Sequence, residues 1–452
     1  MQLADLRGRR VAVWGTGREG VAAVRAIAPV GPASLVAVDD RQNFLTKDWS
    51  PELAALAPLH TGPAAFDALR AADVVVRSPG VAQTHPWMVQ LRAAGSRVTG
   101  GTALWMAAHR DRTVGITGSK GKSTTSSLVS HLLAAAGQPN ELGGNIGIPV
   151  LDLPPAPAYV LELSAYQCAD LDDSPRVAAV TSLFPEHLDW TGGEDEYYRV
   201  KLNLVANGPA AVVVHAGATT VLDELARRHP GLPLHVVGGE DSFHIRDGVF
   251  RLGAEPLFPR SALRLLGAHN EANLCVALGV LRAYGIDVAA AAPALEAALG
   301  AFAGLPHRLE RIEDPSGLTF VDDSLSTIPQ AAIHAIEAFR DRPLTVLLGG
   351  EDRGVDYTPL RAHFAAATVP TTVIGMPDSG ARLVSLLEDL PLVTTYVSDS
   401  LVDAVALARK VTPAGGVVLM SPAAPSYGRF DNYAHRSRVF RQAIEDSAPP
   451  AG

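Results

Sequence analysis

Thr113-Val114-Gly115-Ile116-Thr117-Gly118-Ser119-Lys120-Gly121-Lys122-Ser123-Thr124-Thr125 is the stretch on which the reading of this chain turns. Val114 to Thr117 reads as the end of a buried strand. Gly118 and Gly121 bracket a tight loop. A helix follows from Lys122, because Val129, Leu132, Leu133 and Ala136 recur at helical spacing before Gly137 stops it. A strand, a glycine-rich turn and a helix N-terminus form an anion cradle: loop N–H groups and the helix dipole both favour phosphate. Residues 118–124 (Gly118, Ser119, Lys120, Gly121, Lys122, Ser123 and Thr124) are the expected cradle. Lys122 adds a point charge for the outer phosphates, and the Ser123 hydroxyl suits Mg²⁺. The ordinary phosphate-loop pattern has a glycine where this chain has Ile116. A glycine turn without a ligand is the plainer alternative, but Gly-Lys-Ser opening an amphipathic helix argues against it. The chain is expected to bind a nucleoside triphosphate.

Working outward, 452 residues suit two or three domains. Hydrophobic residues make up 47%, enough for full cores and too many for general disorder. The net charge of −9, with no basic stripe, argues against a polynucleotide partner. Cys168 and Cys275 lie far apart, with neither metal spacing nor a disulfide framework, which suits a reducing compartment. Met1 to Arg7 carries no signal-peptide core, and no run is apolar enough to span a bilayer. A soluble, cytoplasmic protein is expected.

In the first third, the strand Arg10 to Trp14 runs into Gly15-Thr16-Gly17-Arg18-Glu19-Gly20, a literal G-x-G-x-x-G. A second strand, Ser34 to Val38, ends in Asp39-Asp40-Arg41, about where a Rossmann acid meets a ribose hydroxyl. A third, Asp73 to Val76, leads into Arg77-Ser78-Pro79-Gly80. The fingerprint means that a phosphate or pyrophosphate can approach a helix N-terminus. It does not say that nicotinamide is attached, because a nucleotide sugar uses the same geometry. A βα turn with no ligand is the bland alternative. Trp14 and Trp105 read as packing residues.

In the middle, Gly143-Gly144-Asn145-Ile146-Gly147 is another glycine-rich turn, with Asn145 where backbone can approach a ligand. The apolar strand Ala158 to Ser164 carries one carboxylate, Glu162, a candidate for Mg²⁺. A buried glutamate is costly unless paired or on a metal. The strand Val177 to Leu183 leads to Glu186, His187 and Asp189, a polar cluster that suggests a second metal or a substrate contact. Lys201 lies in a predicted helix and says nothing by itself. Asn270 and Asn273 lie three apart in the helix that opens near His269, and would suit a base or ribose; a plain helix cap is the alternative for Asn270.

Gly304-Leu305-Pro306-His307-Arg308 has the character of a domain joint. Beyond it, strands end in Asp322-Asp323-Ser324-Leu325-Ser326-Thr327, in Gly349-Gly350-Glu351-Asp352-Arg353-Gly354 and in Ser421-Pro422-Ala423-Ala424-Pro425-Ser426. Ligands bind at such strand ends in open parallel sheets. The whole is α/β, with three successive units and ligands expected in clefts between them.

These motifs, in this order, resemble the Mur ligase family, which builds the peptide stem of bacterial peptidoglycan. The resemblance covers the whole chain: the Thr117–Ser123 loop, Gly144–Gly147, Glu162 in Leu-Glu-Leu-Ser, His187, Lys201, His269-Asn270 with Asn273, Pro306–Arg308, Asp323-Ser324, Gly349-Gly350 and Ser421-Pro422. It implies three domains: a Rossmann-like UDP-sugar domain over 1–106, a central phosphate-loop ATPase domain over 107–304, and a Rossmann-like C-terminal domain over 305–452. It also implies transfer of the ATP γ-phosphate to a substrate carboxylate and attack on the acyl phosphate by an amino acid. By the same resemblance, Lys122, His187 and Lys201 are catalytic. Two Mg²⁺ ions are held by Ser123, Glu162, His187 and a carbamylated Lys201. Asn270, Asn273, Arg308 and Asp323 face the adenine nucleotide. Gly15, Thr16, Gly17, Asp39, Asp40, Arg41, Ser78, Gly80 and Asn145 hold the UDP-sugar.

Within the family the chain looks like the glutamate-adding branch, whose substrate is UDP-N-acetylmuramoyl-L-alanine. Thr327, Arg353, Ser426 and Tyr433 would surround the glutamate. The D-glutamate enzymes carry lysine where this chain has Leu325, and lysine where it has Arg353. A guanidinium fork and an ammonium point charge are different partners for a carboxylate. These departures resemble the branch that adds L-glutamate and needs a separate epimerase. The alternatives are the D-glutamate ligase of the same pathway, a folylpolyglutamate synthase, an NAD-dependent oxidoreductase and a nucleotide-gated scaffold. The expected form is a monomer.

Overall fold

The structure is a computed structural model and describes residues 1–40, 49–186, 188–302, 304–305 and 307–449. Arg41, His187 and Pro306 lie outside the described residues. The backbone divides into two compact units: Met1–Ala262 with Ala272–Phe302, and Leu263–Glu271 with Ala303–Gly452.

The first unit opens with β1 (Arg10–Trp14), β2 (Ser34–Asp39), β3 (Leu59–Thr61), β4 (Val74–Arg77) and β5 (Arg97–Gly100). They form a parallel sheet in the order β3-β2-β1-β4-β5. The valine-rich runs of β1 and β4 are buried, as strands covered on both faces require. The strand order reverses between β1 and β4, so the glycine turn after β1 opens at the switch point of the sheet. Trp14 and Trp105 are buried in hydrophobic clusters, as packing residues.

The second sheet of this unit holds β6 (Thr113–Thr117), β7 (Asn140–Gly144), β8 (Ala158–Glu162), β9 (Val177–Val180), β10 (Ala211–His215) and β11 (Leu234–Val237). Its order is β11-β10-β9-β6-β8-β7, all parallel. Again the order reverses, here between β6 and β9. β8 ends at Glu162, earlier than its apolar pattern suggests. Ser164 and Gln167 form a reciprocal capping box that starts the helix Ala165–Cys168. β9 ends at Val180 because Thr181 and Ser182 turn their hydroxyls to the loop after β6. A small antiparallel sheet of β12 (Phe243–Arg246), β13 (Val249–Leu252) and β14 (Glu255–Pro259) follows, unannounced by the sequence reading.

The second unit holds β15 (Glu310–Glu313), β16 (Thr319–Asp322), β17 (Leu344–Leu348), β18 (Thr371–Gly375), β19 (Val393–Val397) and β20 (Val417–Met420). Their order is β15-β16-β20-β17-β18-β19, parallel except for β15. Among the described residues no helix is long and apolar enough to cross a membrane.

Candidate active site

Three neighbouring strands bring the first group of residues together. Ile116 of β6 lies beside Glu162 of β8, and Glu162 lies beside Gly144 of β7. The loop after β6, the carboxylate ending β8 and the turn carrying Asn145 therefore share one sheet edge. The loop itself is stitched down on the β9 side. Ser119 N–H donates to the Ser182 carbonyl at 2.8 Å, and Lys120 N–H donates to Ser182 Oγ at 2.9 Å. Thr181 Oγ1 donates to the Lys120 carbonyl at 2.5 Å. This proximity demands glycine: a Cβ on Gly118, at φ +148°, would stand 2.0 Å from Thr181 Oγ1. The helix Lys122–Ala135 starts at Gly121, which has no side chain with which to cap it.

Two ammonium groups converge on one carbonyl. Lys122 Nζ donates to Gly118 O at 2.7 Å and to Ser119 O at 2.9 Å, and Lys201 Nζ donates to Gly118 O at 2.9 Å. Lys201 is buried on the helix Glu194–Leu202, with Nζ 4.9 Å from the centre of the Tyr197 ring. Burial, and then the charge of Lys122, push its pKa down to about 7. Glu162 is also buried. Its Oε1 accepts the Asn145 amide at 2.7 Å, and its Oε2 meets no hydrogen-bond donor among the described residues. A buried carboxylate oxygen left in that state fits a cation. Of the expected Glu186, His187 and Asp189 cluster, only Glu186 has a described side chain, and it pairs with Lys120 at 2.8 Å. Asn273 faces the same loop, its Oδ1 standing 2.7 Å from where a Cβ on Gly121 would be.

A cavity of about 590 Å³ collects the second group: Gly15, Thr16, Gly17, Asp39, Asp40, Ser78, Gly80 and Asn145 all line it. Asp39 is turned inward, accepting from Thr16 Oγ1 at 2.5 Å, so it braces the glycine turn. Asp40 accepts from Trp14 Nε1 at 3.1 Å and meets His85 Nε2 at 2.9 Å. His85 Nδ1 accepts from Trp87 N–H, which leaves the proton on Nε2, facing Asp40. The sequence reading missed His85, Tyr166 and Gln167, which also line this cavity. It also gave no role to Arg18, which donates to the Gly147 carbonyl at 3.0 Å and ties the first helix to the Asn145 turn.

In the second unit, Asp323 is buried among Ser326, Ser421 and the Leu309 amide, and burial raises its pKa to about 6. Asn270 donates to the Leu266 carbonyl at 2.7 Å. A cavity of about 210 Å³ is lined by Ser426, whereas Thr327, Arg353 and Tyr433 lie outside its lining. Arg353 pairs with Glu351 at 2.7 Å and stands 5.5 Å over the Tyr427 ring. Tyr433 meets His307 edge-on, with ring centres 5.7 Å apart. Arg436, another omission, donates to Ser324 O at 2.8 Å and to the Ala424 carbonyl at 3.2 Å. It thus joins the loops after β16 and β20. Among the described residues the one group with metal-ligand spacing is His307, Glu310 and Asp322. The Arg441 guanidinium lies 2.8 Å from Glu310 and already supplies its countercharge.

A glycine–lysine loop at the switch point of a parallel sheet, preceded by a Rossmann-like sheet, defines an α/β phosphate-loop protein. Two family descriptions match the chain: Mur ligase MurD-like, N-terminal domain, over residues 9–100, and Mur ligase middle domain, over residues 116–281. The chain is 61% identical over 453 residues to a UDP-N-acetylmuramoyl-L-alanine--L-glutamate ligase of a Micromonospora species, covering 99% of each chain. It is equally similar, at 61%, to the ligase of the same name from Salinispora tropica, covering 99% of this chain and 100% of that one. Among solved structures it is similar to the MurF ligase from Thermotoga maritima in complex with ADP. That likeness has a TM-score of 0.57 at 16% identity, covers 99% and 96% of the two chains, and speaks to the fold. The chain belongs to the Mur ligase family.

Proposed function

We propose that this chain is an ATP-dependent ligase that joins L-glutamate to UDP-N-acetylmuramoyl-L-alanine. The observation that carries the reading is the 61% identity, across 99% of the chain, to relatives bearing that activity in their names. In the reaction, a carboxylate oxygen of the alanyl group takes the ATP γ-phosphate, giving an acyl phosphate and ADP. The amino group of glutamate then attacks the acyl carbon, phosphate leaves with the C–O electron pair, and the amine gives up a proton.

The residues divide that work. The 118–124 loop, the start of the helix that follows it and the Lys122 charge would bind the phosphates and stabilise charge as it moves between oxygens. The cavity at Gly15–Gly17 would hold the UDP-sugar, with Asn145 on its wall and in contact with Glu162. Asn270, Asn273, Arg308 and Asp323 are assigned to the adenine nucleotide. Thr327, Arg353, Ser426 and Tyr433 are assigned to glutamate. Magnesium, when bound, would offset phosphate charge; Ser123 and Glu162 would hold one ion, and His187 with a carbamylated Lys201 a second. The unmatched Oε2 of Glu162 supports the first ion. Lys201, with a pKa of about 7, offers the neutral amine that capture of CO₂ requires, with release of one proton. A cytoplasmic enzyme fits nucleotide substrates of this kind. An epimerase acting on the product completes the reading, because the product carries L-glutamate.

The test is product formation with each enantiomer of glutamate, given ATP, Mg²⁺ and UDP-N-acetylmuramoyl-L-alanine. The expected product carries L-glutamate. A clear preference for D-glutamate assigns the chain to the other glutamate-adding branch, and no new amide with either enantiomer removes the reading.

A further inference from the structure

Arg77 ends β4 with a side chain wholly shielded from solvent. Burying a guanidinium is unfavourable unless its charge is met, and here both terminal nitrogens are engaged while Nε has no partner among the described residues. Nη2 pairs with Asp170 Oδ2 at 2.7 Å and donates to the Tyr166 carbonyl at 3.1 Å. Nη1 donates to the Val81 carbonyl at 2.8 Å and lies 3.3 Å from the Pro79 carbonyl. The guanidinium stands 5.3 Å over the Trp190 ring, which packs at 4.5 Å against the Tyr166 ring. Asp170 is held in turn: Gln83 Nε2 donates to its Oδ1 at 3.3 Å. Gly100 leaves it room, since a Cβ there would lie 2.9 Å from Asp170 Oδ2.

The groups that Arg77 grips are the two walls of the 590 Å³ cavity. Ser78 to Val81 form one wall, at the end of β4. Tyr166 belongs to the other, on the helix after β8. Neither Arg77 nor Asp170 lines the cavity itself. We infer that Arg77 and Asp170 are positioning residues for the sugar nucleotide: their buried pair fixes the spacing of the two walls before the ligand arrives. A pair kept only for stability is replaceable by apolar side chains of similar volume, often without loss. A pair kept for position is not, because the apolar substitutes release the Val81 and Pro79 carbonyls on one wall and the Tyr166 carbonyl on the other. The inference rests on reading this cavity as the UDP-sugar site.

The experiment uses the full chain with Arg77→Lys, Asp170→Asn and the double change Arg77→Met with Asp170→Leu. Circular dichroism and thermal midpoints report folding. KM is measured separately for UDP-N-acetylmuramoyl-L-alanine, ATP and L-glutamate, and calorimetry measures UDP binding without turnover. The folded double variant is expected to raise the KM for the UDP-sugar about tenfold while ATP and glutamate stay within about twofold. Arg77→Lys, which keeps the charge and loses the fork, should fall between and carries the test if the double variant does not fold. An unchanged UDP-sugar KM in a folded variant, or an equal rise for all three substrates, overturns the inference. Wild type that ligates but shows no UDP binding overturns the cavity assignment, and the inference with it. Wild type that forms no amide overturns the functional reading.

Discussion

Asn145 donates its side-chain amide to Glu162 Oε1 at 2.7 Å, while Oε2 of the same carboxylate is buried with no donor against it among the described residues. Asn145 also lines the N-terminal cavity. One side chain therefore touches both the wall assigned to the sugar nucleotide and the carboxylate assigned to magnesium. Orienting a metal-binding carboxylate by an outer hydrogen bond tunes its affinity.

Asn145→Ala is expected to raise the Mg²⁺ concentration for half-maximal activity roughly ten- to a hundredfold. Glu162→Gln, which removes the charge, should lower turnover by on the order of 10²-fold at saturating Mg²⁺. Phosphate release across a magnesium titration measures both. An unaltered magnesium curve for Asn145→Ala would detach Asn145 from the metal.

Lys122→Ala should abolish turnover, a loss of ~10³-fold or more, because the Nζ charge now tied to Gly118 O and Ser119 O is the one assigned to the phosphates. Circular dichroism should stay native, since the loop keeps its stitches to Thr181 and Ser182. Near-normal phosphate release would end the phosphate assignment.

Arg353→Lys is expected to raise the KM for glutamate roughly tenfold with kcat changed little, the pattern of lost ground-state binding. Lysine keeps the charge beside Glu351 but loses the planar fork and its stacking on Tyr427. Steady-state kinetics with L-glutamate decide it. An unmoved KM would take Arg353 out of the amino-acid site.

Acid sensitivity has a local source in the second unit. Arg409 grips Asp314 with two bonds, Nη1 to Oδ1 at 2.9 Å and Nη2 to Oδ2 at 2.6 Å, and both side chains are largely buried. The hydrogen bonds from Arg409 hold the Asp314 pKa at about 2, below its ordinary 3.8. The folded-state pKa is the lower one, so the unfolded chain binds the proton first. The stabilisation is complete above about pH 4 and is lost as pH falls through about 2. Asp314→Asn should be less stable at neutral pH and show a flatter acid limb. Thermal midpoints from pH 2 to 7 measure this, and parallel acid limbs for the two proteins would contradict it.

The parts legible in the sequence are those whose chemistry is local. A glycine turn followed by a helical period announces a strand end, so the loop after β6, the turn after β1 and Glu162 were readable one by one. Gly118 and Gly121 stand out because their backbone angles, +148° and +84°, suit almost no other residue. Residues that act across the sheet were not legible. Arg77 ends a run of valines and looks like a solvent-facing strand cap. Only the packing of β4 beside the helix Ala165–Cys168 gives it Asp170. Arg436 needs β16 and β20 to be neighbours before its carbonyl partners exist. Asp39, expected at a ribose, lines the cavity, and its bond from Thr16 becomes visible only in the folded turn. The β12–β14 sheet escaped because β12 and β13 are only four residues long and β14 carries Pro256 and Pro259.

The turn after β1 has a wider consequence. A Cβ on Gly20 would lie 1.9 Å from the carbonyl oxygen of Gly15, so the helix can seat itself on the turn only without one. That demand comes from the polypeptide alone. Lineages that exchanged one nucleoside for another would keep these glycines, and a fingerprint of this kind dates the architecture while staying silent about its cargo.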